Sequence, residues 1–269
     1  MEFDRANISI CERSWTDNLD LALQAIRRYG GPLAICSLAL VVPFAVLNHF
    51  IIFALFPEPQ TDEAPGGVLY WITCLVLIEA PLATAPITLY LGQALFVEKP
   101  AAQQVVRGLV ACLPQLVLLQ LIMRTLLILP VVTWVIPYAI APYLNEVILL
   151  ERNPLVGRHG QISTLKRSSQ LHRGNSGEYS GRATAAALIS VLLITAIYLT
   201  EDVLVRNLLG FEPGPTGWLI EMQVAFWLVA IYFAVVRFLT YLDGRIRNEG
   251  WEVELLLRAE RARLMRPIV

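Results

Sequence analysis

Five charged side chains stand inside otherwise apolar stretches of this 269-residue chain: Glu79, Arg124, Glu146, Glu221 and Arg237. A charge in hydrocarbon is costly unless it is paired or wetted. Such residues therefore either tie helices together or line a path for a proton or solute. Depth decides which of them can meet. Glu79 lies 17 residues before Phe96, and Arg124 lies 16 residues after Gly108. At about 1.5 Å per residue, both sit roughly 25 Å above the same edge of the apolar layer. They are expected to pair, and Glu221, near the far end of its own stretch, is placed to join them. Glu146 and Arg237 each fall within about two turns of the near edge and are expected to form a second pair. Asn48, His49, Gln115, Gln120 and Asn145 read as interhelical hydrogen-bonding groups. Pro81 and Pro86, close to Glu79, each deprive a backbone carbonyl of its helical partner, and such carbonyls can line a cavity.

The elements that must position these residues are membrane spans. The chain is 56% hydrophobic and 16% charged, with a mean hydropathy of +0.58. A soluble domain carries about 25% charge, so a water-facing globule of this composition is excluded. A helix crosses the hydrocarbon in about 20 residues. Residues 31–56 and 68–96 supply two such stretches. The long run 108–150 is split by Pro130 into 108–129 and 131–150. Two more follow at 183–200 and 218–242. The reading is an all-α, polytopic transmembrane bundle of six spans in a single domain covering 1–269.

Charge between the spans sets the orientation. The segments before 31, at 151–182 and after 242 are rich in Arg, and 97–107 carries Lys99 and Arg107, whereas 57–67 has no basic residue and 201–217 has only Arg206. All four basic segments share one side only with six spans and both termini inside, which the positive-inside rule assigns to the cytoplasm. The expected location is the plasma (inner) membrane, crossed several times. No short apolar stretch with a cleavage site follows the start, so the first span is expected to act as its own insertion signal.

Short basic segments border the spans. In WTDNLDLALQAIRRY, Trp15, Leu19, Ala22, Ile26 and Tyr29 recur on one helical face. Ser14 or Thr16 is suited to cap its start, and Arg27 and Arg28 close its end. This reads as a helix lying in the inner interface. AAQQVVRGL and QISTLKRSSQLHRG precede the third and fifth spans in the same way. That layout would suit a threefold repeat of elbow plus hairpin. The tail at 243–269 reads as a cytoplasmic amphipathic segment, with Trp251, Leu255 and Leu256 toward lipid. Anionic lipid is the expected partner of these basic segments, and no block of like charge suits nucleic acid.

Familiar catalytic chemistry is missing from the motifs. Cys11, Cys36, Cys74 and Cys112 are not at CxxC spacing, and His49, His159 and His172 form no metal pattern. HExxH, GxSxG, Walker A and Rossmann signatures are absent, and GNSGEYSG at 174–181 lacks the P-loop lysine. No catalytic residue, cofactor or metal is expected.

From Leu144 to Gly174 the chain reads LNEVILLERNPLVGRHGQISTLKRSSQLHRG. A Glu ends a span, a short loop follows, and an Arg-Ser and Leu-x-x-Gly segment leads to the next span. This stretch, and TYLDGRIRNEGWEVELLLRA at 240–259, resemble a bacterial integral-membrane family. That family includes the membrane domain fused to some glycerophosphodiester phosphodiesterases. The resemblance implies a six-helix membrane domain and no phosphodiesterase activity, since the soluble catalytic domain has no counterpart. The expected function is a non-catalytic scaffold or accessory component of a membrane assembly. The alternative is a transporter, or a lipid- or solute-handling bundle, using Glu79 and Arg124. For the topology, a lone cysteine at position 166 is expected to react with an impermeant maleimide only after cells are opened. Labelling in intact cells overturns the six-span arrangement.

Overall fold

The computed structural model describes residues 14–56, 65–95, 97, 100–122, 124–125, 143–155, 157, 162–172, 176–210 and 217–249. Among the described residues there are helices and no strands. Five helical stretches are long and apolar enough to cross a membrane: Trp15–Leu55, Gly66–Ala94, Ala102–Ile122, Ser180–Leu208 and Gly217–Arg247. The expected span 131–150 lies largely outside the described residues, and the tail beyond 249 and residues 57–64 lie wholly outside them.

Helix α1 runs Trp15–Leu55. Ser14 Oγ accepts from the Asp17 N–H, and the Ser14 N–H donates to the Asp17 carboxylate, a reciprocal cap that starts the helix. The backbone breaks at Tyr29 (φ −107°, ψ 20°). Pro32 explains the position, because its ring crowds the carbonyl of Arg28, four residues back. The segment 15–29 differs from the expected interfacial helix. It continues into the first long apolar helix and packs inward through Asn18, Ala22 and Ala25, with the Tyr232 hydroxyl donating to the Leu19 carbonyl at 3.3 Å.

The second crossing is two helices, α2 (Pro65–Ala83) and α3 (Ala85–Ala94), meeting at Thr84. Pro81 and Pro86 flank the joint, and the Thr84 hydroxyl donates to the Ala80 carbonyl at 2.6 Å. Helix α4 (Ala102–Leu116) widens after Pro114 into a π-helical stretch, Val117–Ile122. The basic 102–107 segment is its first turn and not a separate element. Helix α5 (Leu144–Glu146) also continues as a π stretch, Val147–Glu151, which Arg152 ends in the left-handed conformation (φ 52°). Then come α6 (Thr164–His172), α7 (Ser176–Val203, extended by π residues Leu204–Leu208) and α8 (Gly217–Glu249). Of the three basic segments, only α6 is a free-standing short helix among the described residues.

Helix α8 is the hub. One apolar cluster joins Ala22 and Leu33 of α1, Ile87 of α3, Leu116 of α4, Ile148 beyond α5 and Phe238 of α8. A second joins Ile52, Ile72, Leu219 and Trp227 of α1, α2 and α8. Helix α7 packs on α8, and none of its most apolar 18-residue window is buried among the described residues.

Gly92 lets α3 approach the π stretch after α5: a Cβ there would stand 2.5 Å from Leu150 Cδ2. The end of a leucine can swing aside, but a branched side chain demands more room. Gly92→Ala is expected within about 1 kcal/mol of wild type, as helix propensity offsets the crowding. Gly92→Val is expected to lose about 1–3 kcal/mol. Thermal unfolding of the detergent-solubilised protein checks the order, and a Val variant as stable as Ala refutes the close approach.

Candidate functional site

The distribution of charge within the bundle starts at a proline. Pro81 has no N–H, so the carbonyl of Leu77, four residues earlier on α2, loses its helical donor. Arg124 Nη1 donates to that carbonyl at 3.0 Å. The same guanidinium donates through Nε to Gln120 Oε1 at 2.9 Å. The π-helical stretch carries Gln120, and one turn later Arg124 reaches across to α2. Both side chains are buried.

Glu79 is buried two residues beyond Leu77. It does not form the expected direct pair with Arg124. Asn48 Nδ2 of α1 donates to Glu79 Oε2 at 2.9 Å. The depth estimate brought the two charges to the same level, but the freed carbonyl claims the arginine and an amide satisfies the carboxylate. Glu79 thereby ties α2 to α1, and Arg124 ties the end of α4 to α2.

Glu146 and Arg237 do meet, with Nε 2.5 Å from Oε1. Glu146 is fully buried. This contact joins α5 to α8 across 91 residues of sequence. Glu221 is buried near the start of α8 with Oε2 unpartnered among the described residues. It makes no hydrogen bond or ion pair with either Glu79 or Arg124 among the described residues, so it does not complete a Glu79–Arg124 group. Among the other polar residues, Gln115 donates to the Asn153 carbonyl (3.0 Å) and to Thr164 Oγ1 (2.7 Å). His49 lies against the Phe53 ring, with centroids 4.7 Å apart. Gln120 serves its own helical stretch and not a neighbour, and Asn145 has no hydrogen-bond partner on either amide atom.

The densest polar group is one that sequence reasoning did not single out. Glu151 closes the π stretch after α5. Arg167 of α6 grips it with two bonds, Nε to Oε2 at 2.7 Å and Nη2 to Oε1 at 3.1 Å. The Tyr241 hydroxyl of α8 donates to Oε1 at 2.8 Å, Asn153 Nδ2 donates to Oε2 at 3.0 Å, and Arg245 Nε stands 3.7 Å from Oε1. One carboxylate thus fastens α5, α6 and α8 on the arginine-rich side. The Asn153 carbonyl is held in turn by the Thr164 hydroxyl at 2.8 Å. Burial works to raise the Glu151 pKa. Hydrogen bonds from Arg167 and Tyr241 and the charges of Arg167 and Arg245 outweigh it, and hold the carboxyl below its ordinary value. The available signal was local: Glu151 and Arg167 both lie in the 144–174 stretch, and an acid at the end of an apolar run needs a base within reach.

Among the described residues no three His, Cys, Asp or Glu side chains cluster to hold a metal ion. The polar groups and apolar helices together define an all-helical membrane bundle braced by internal charge. No family model, curated protein or solved structure matches the chain.

Because the folded pKa of Glu151 is depressed, its contribution to stability is complete above the unfolded value, about 4.5, and is lost as pH falls through the folded value. Glu151→Gln is expected to lower stability at pH 7 by about 1–3 kcal/mol, since Arg167 and Arg245 lose their counter-charge. It is also expected to flatten the fall in melting temperature below pH 4.5. A variant with unchanged acid sensitivity removes Glu151 from this role.

Proposed function

We propose that this protein is a non-catalytic component of a bacterial inner membrane, a scaffold or accessory subunit of a membrane assembly. In this reading six spans place both termini and the arginine-rich segments in the cytoplasm, where the basic segments meet anionic lipid. Membership of the integral-membrane family resembled by residues 144–174 and 240–259 belongs to the same proposal.

The observation that carries it is the use made of Glu79 and Arg124. A transport path needs such charges to face water and to be free to exchange partners. Here the Leu77 carbonyl and Gln120 hold Arg124, and Asn48 holds Glu79, with both charges buried between helices. Each contact joins elements distant in sequence or braces a proline joint, which is a constructional role. The Glu151 group does the same for α5, α6 and α8.

Glu79→Gln separates scaffold from transporter. The amide keeps the size and can still accept from Asn48, so a bracing residue tolerates it with a loss of about 1 kcal/mol or less. A proton- or cation-carrying carboxylate does not tolerate it. Reconstituted wild-type protein is expected to give no proton or solute flux above empty liposomes. Glu79→Gln is expected to preserve the set and stoichiometry of membrane proteins that co-purify from native membranes. A flux present in wild type and abolished by Glu79→Gln sinks the scaffold reading in favour of transport.

A further inference from the structure

The Glu146–Arg237 contact is made through one N–O pair only, Nε to Oε1. A side-on arginine–carboxylate pair uses two parallel bonds. Here Arg237 Nη2 and Glu146 Oε2 are both buried without partners. Asn145, the residue before Glu146, is likewise buried, with neither amide atom bonded among the described residues.

A fourth group comes from α3. Thr73, Thr84, Thr125, Thr195, Thr200 and Thr240 each donate to the carbonyl four residues earlier. This is how a helical threonine hides its hydroxyl in lipid. Thr88, fully buried, leaves its hydroxyl unbonded. Its place in the bundle follows from register. Gly92 meets Leu150. Contacts of Gly108 with Arg152 and of Cys112 with the Ile148 carbonyl set the π stretch antiparallel to α4, and α3, which meets Gly108 through Leu89 and precedes α4 across a short connection, is antiparallel to it too, so the two elements run in the same direction. One turn earlier on each brings Thr88 level with Glu146.

A buried hydrogen-bonding atom without a partner costs roughly 1–3 kcal/mol. Several gathered around one ion pair would remove much of a typical protein's net stability. Something must therefore fill the space among them. The open donors are Arg237 Nη2, Asn145 Nδ2 and the Thr88 hydroxyl. The open acceptors are Glu146 Oε2, Asn145 Oδ1 and the Thr88 oxygen. The two kinds balance, and the ion pair is neutral, so neither an anion nor a cation is selected. A small neutral molecule that both donates and accepts fits this set, and water is the smallest. Glu146 is sealed, but the Arg237 side chain is 19% exposed, which gives the group a route to the surface.

We propose that Thr88, Asn145, Glu146 and Arg237 line a hydrated vestibule in the arginine-rich half of the bundle. It binds water, and small neutral solutes of the same hydrogen-bonding character, and opens beside Arg237.

Thiolate chemistry tests this, because a cysteine in a dry apolar contact stays protonated and unreactive. In the full chain with its native cysteines replaced, Thr88→Cys and Asn145→Cys are treated with methyl methanethiosulfonate, a small neutral reagent. Ile148→Cys, at a fully buried apolar position nearby, is the control. Rates are taken only from protein that elutes as a single folded species. Both vestibule positions are expected to react at least about tenfold faster than the control. If either substitution prevents folding, the other decides. X-ray radiolysis of the unmodified protein provides a second reading, since radicals form from water already bound. Oxidation of Leu144 and Val147 is then expected to exceed that of the equally buried Ile72. Thiols no faster than the control, or, where neither variant folds, oxidation no greater than at Ile72, overturns the proposal.

Discussion

In hydrocarbon every backbone polar group and every charge must find its partner within the protein, and Pro81 makes that constraint acute. It opens the Leu77 carbonyl in the middle of an apolar helix. The repair comes from a guanidinium on another helix, which must itself be held. Gln120 holds it, and the wider π-helical turn from Val117 to Ile122 carries that glutamine. A kink that would otherwise weaken α2 becomes the reason α4 packs against it. The cost of one missing N–H is thus converted into a fixed contact between two helices.

The same logic orders the rest of the bundle. Glu79 has Asn48, Glu146 has Arg237, and Glu151 has Arg167, Tyr241, Asn153 and Arg245. Apolar burial between helices is a weak guide to register in lipid, since lipid tails are as apolar as leucine. Directional bonds supply the register instead. They lie at the joints where the chain is least helical: the Thr84 break, the end at Arg152, and the π stretches. Among the described residues helix α7 packs chiefly on α8, with few directional bonds between them.

How much of this was legible in the sequence follows from the range of each force. Spans could be read because hydropathy is a sum over 20 neighbouring residues, and α1, α2–α3, α4, α7 and α8 fall where the apolar stretches lie. Ser14 could be read as a cap because its partner is three residues away. Glu146 and Arg237 could be matched by depth, since rise per residue is fixed. The same arithmetic placed Glu79 and Arg124 at one level but could not choose between two partners at that level. That choice turns on rotation about the helix axis and on which carbonyl Pro81 opens. The break at Tyr29 was implicit in Pro32, and the helical face before it was legible in its four-and-three spacing, but the spacing did not show that Ala22 and Ala25 on that face fit against the bundle. Glu151 escaped notice because it stands at the edge of a span, where a charge looks solvated. Its four partners come from three elements, and only folding brings them together.

Two of the buried charge sites treat polarity differently, and that contrast separates support from function. Around Leu77 the bonds on Arg124 and Glu79 reach protein partners on three elements. Around Glu146 the protein brings in more donors and acceptors than it joins: a one-point ion pair, an amide bonded at neither end, and a threonine hydroxyl that forgoes the nearby carbonyl. Simple bracing would favour the opposite arrangement, a two-point pair and a back-bonded threonine, because each lowers the energy without any third party. Side chains held away from those easier partners imply a third party small enough to enter beside Arg237.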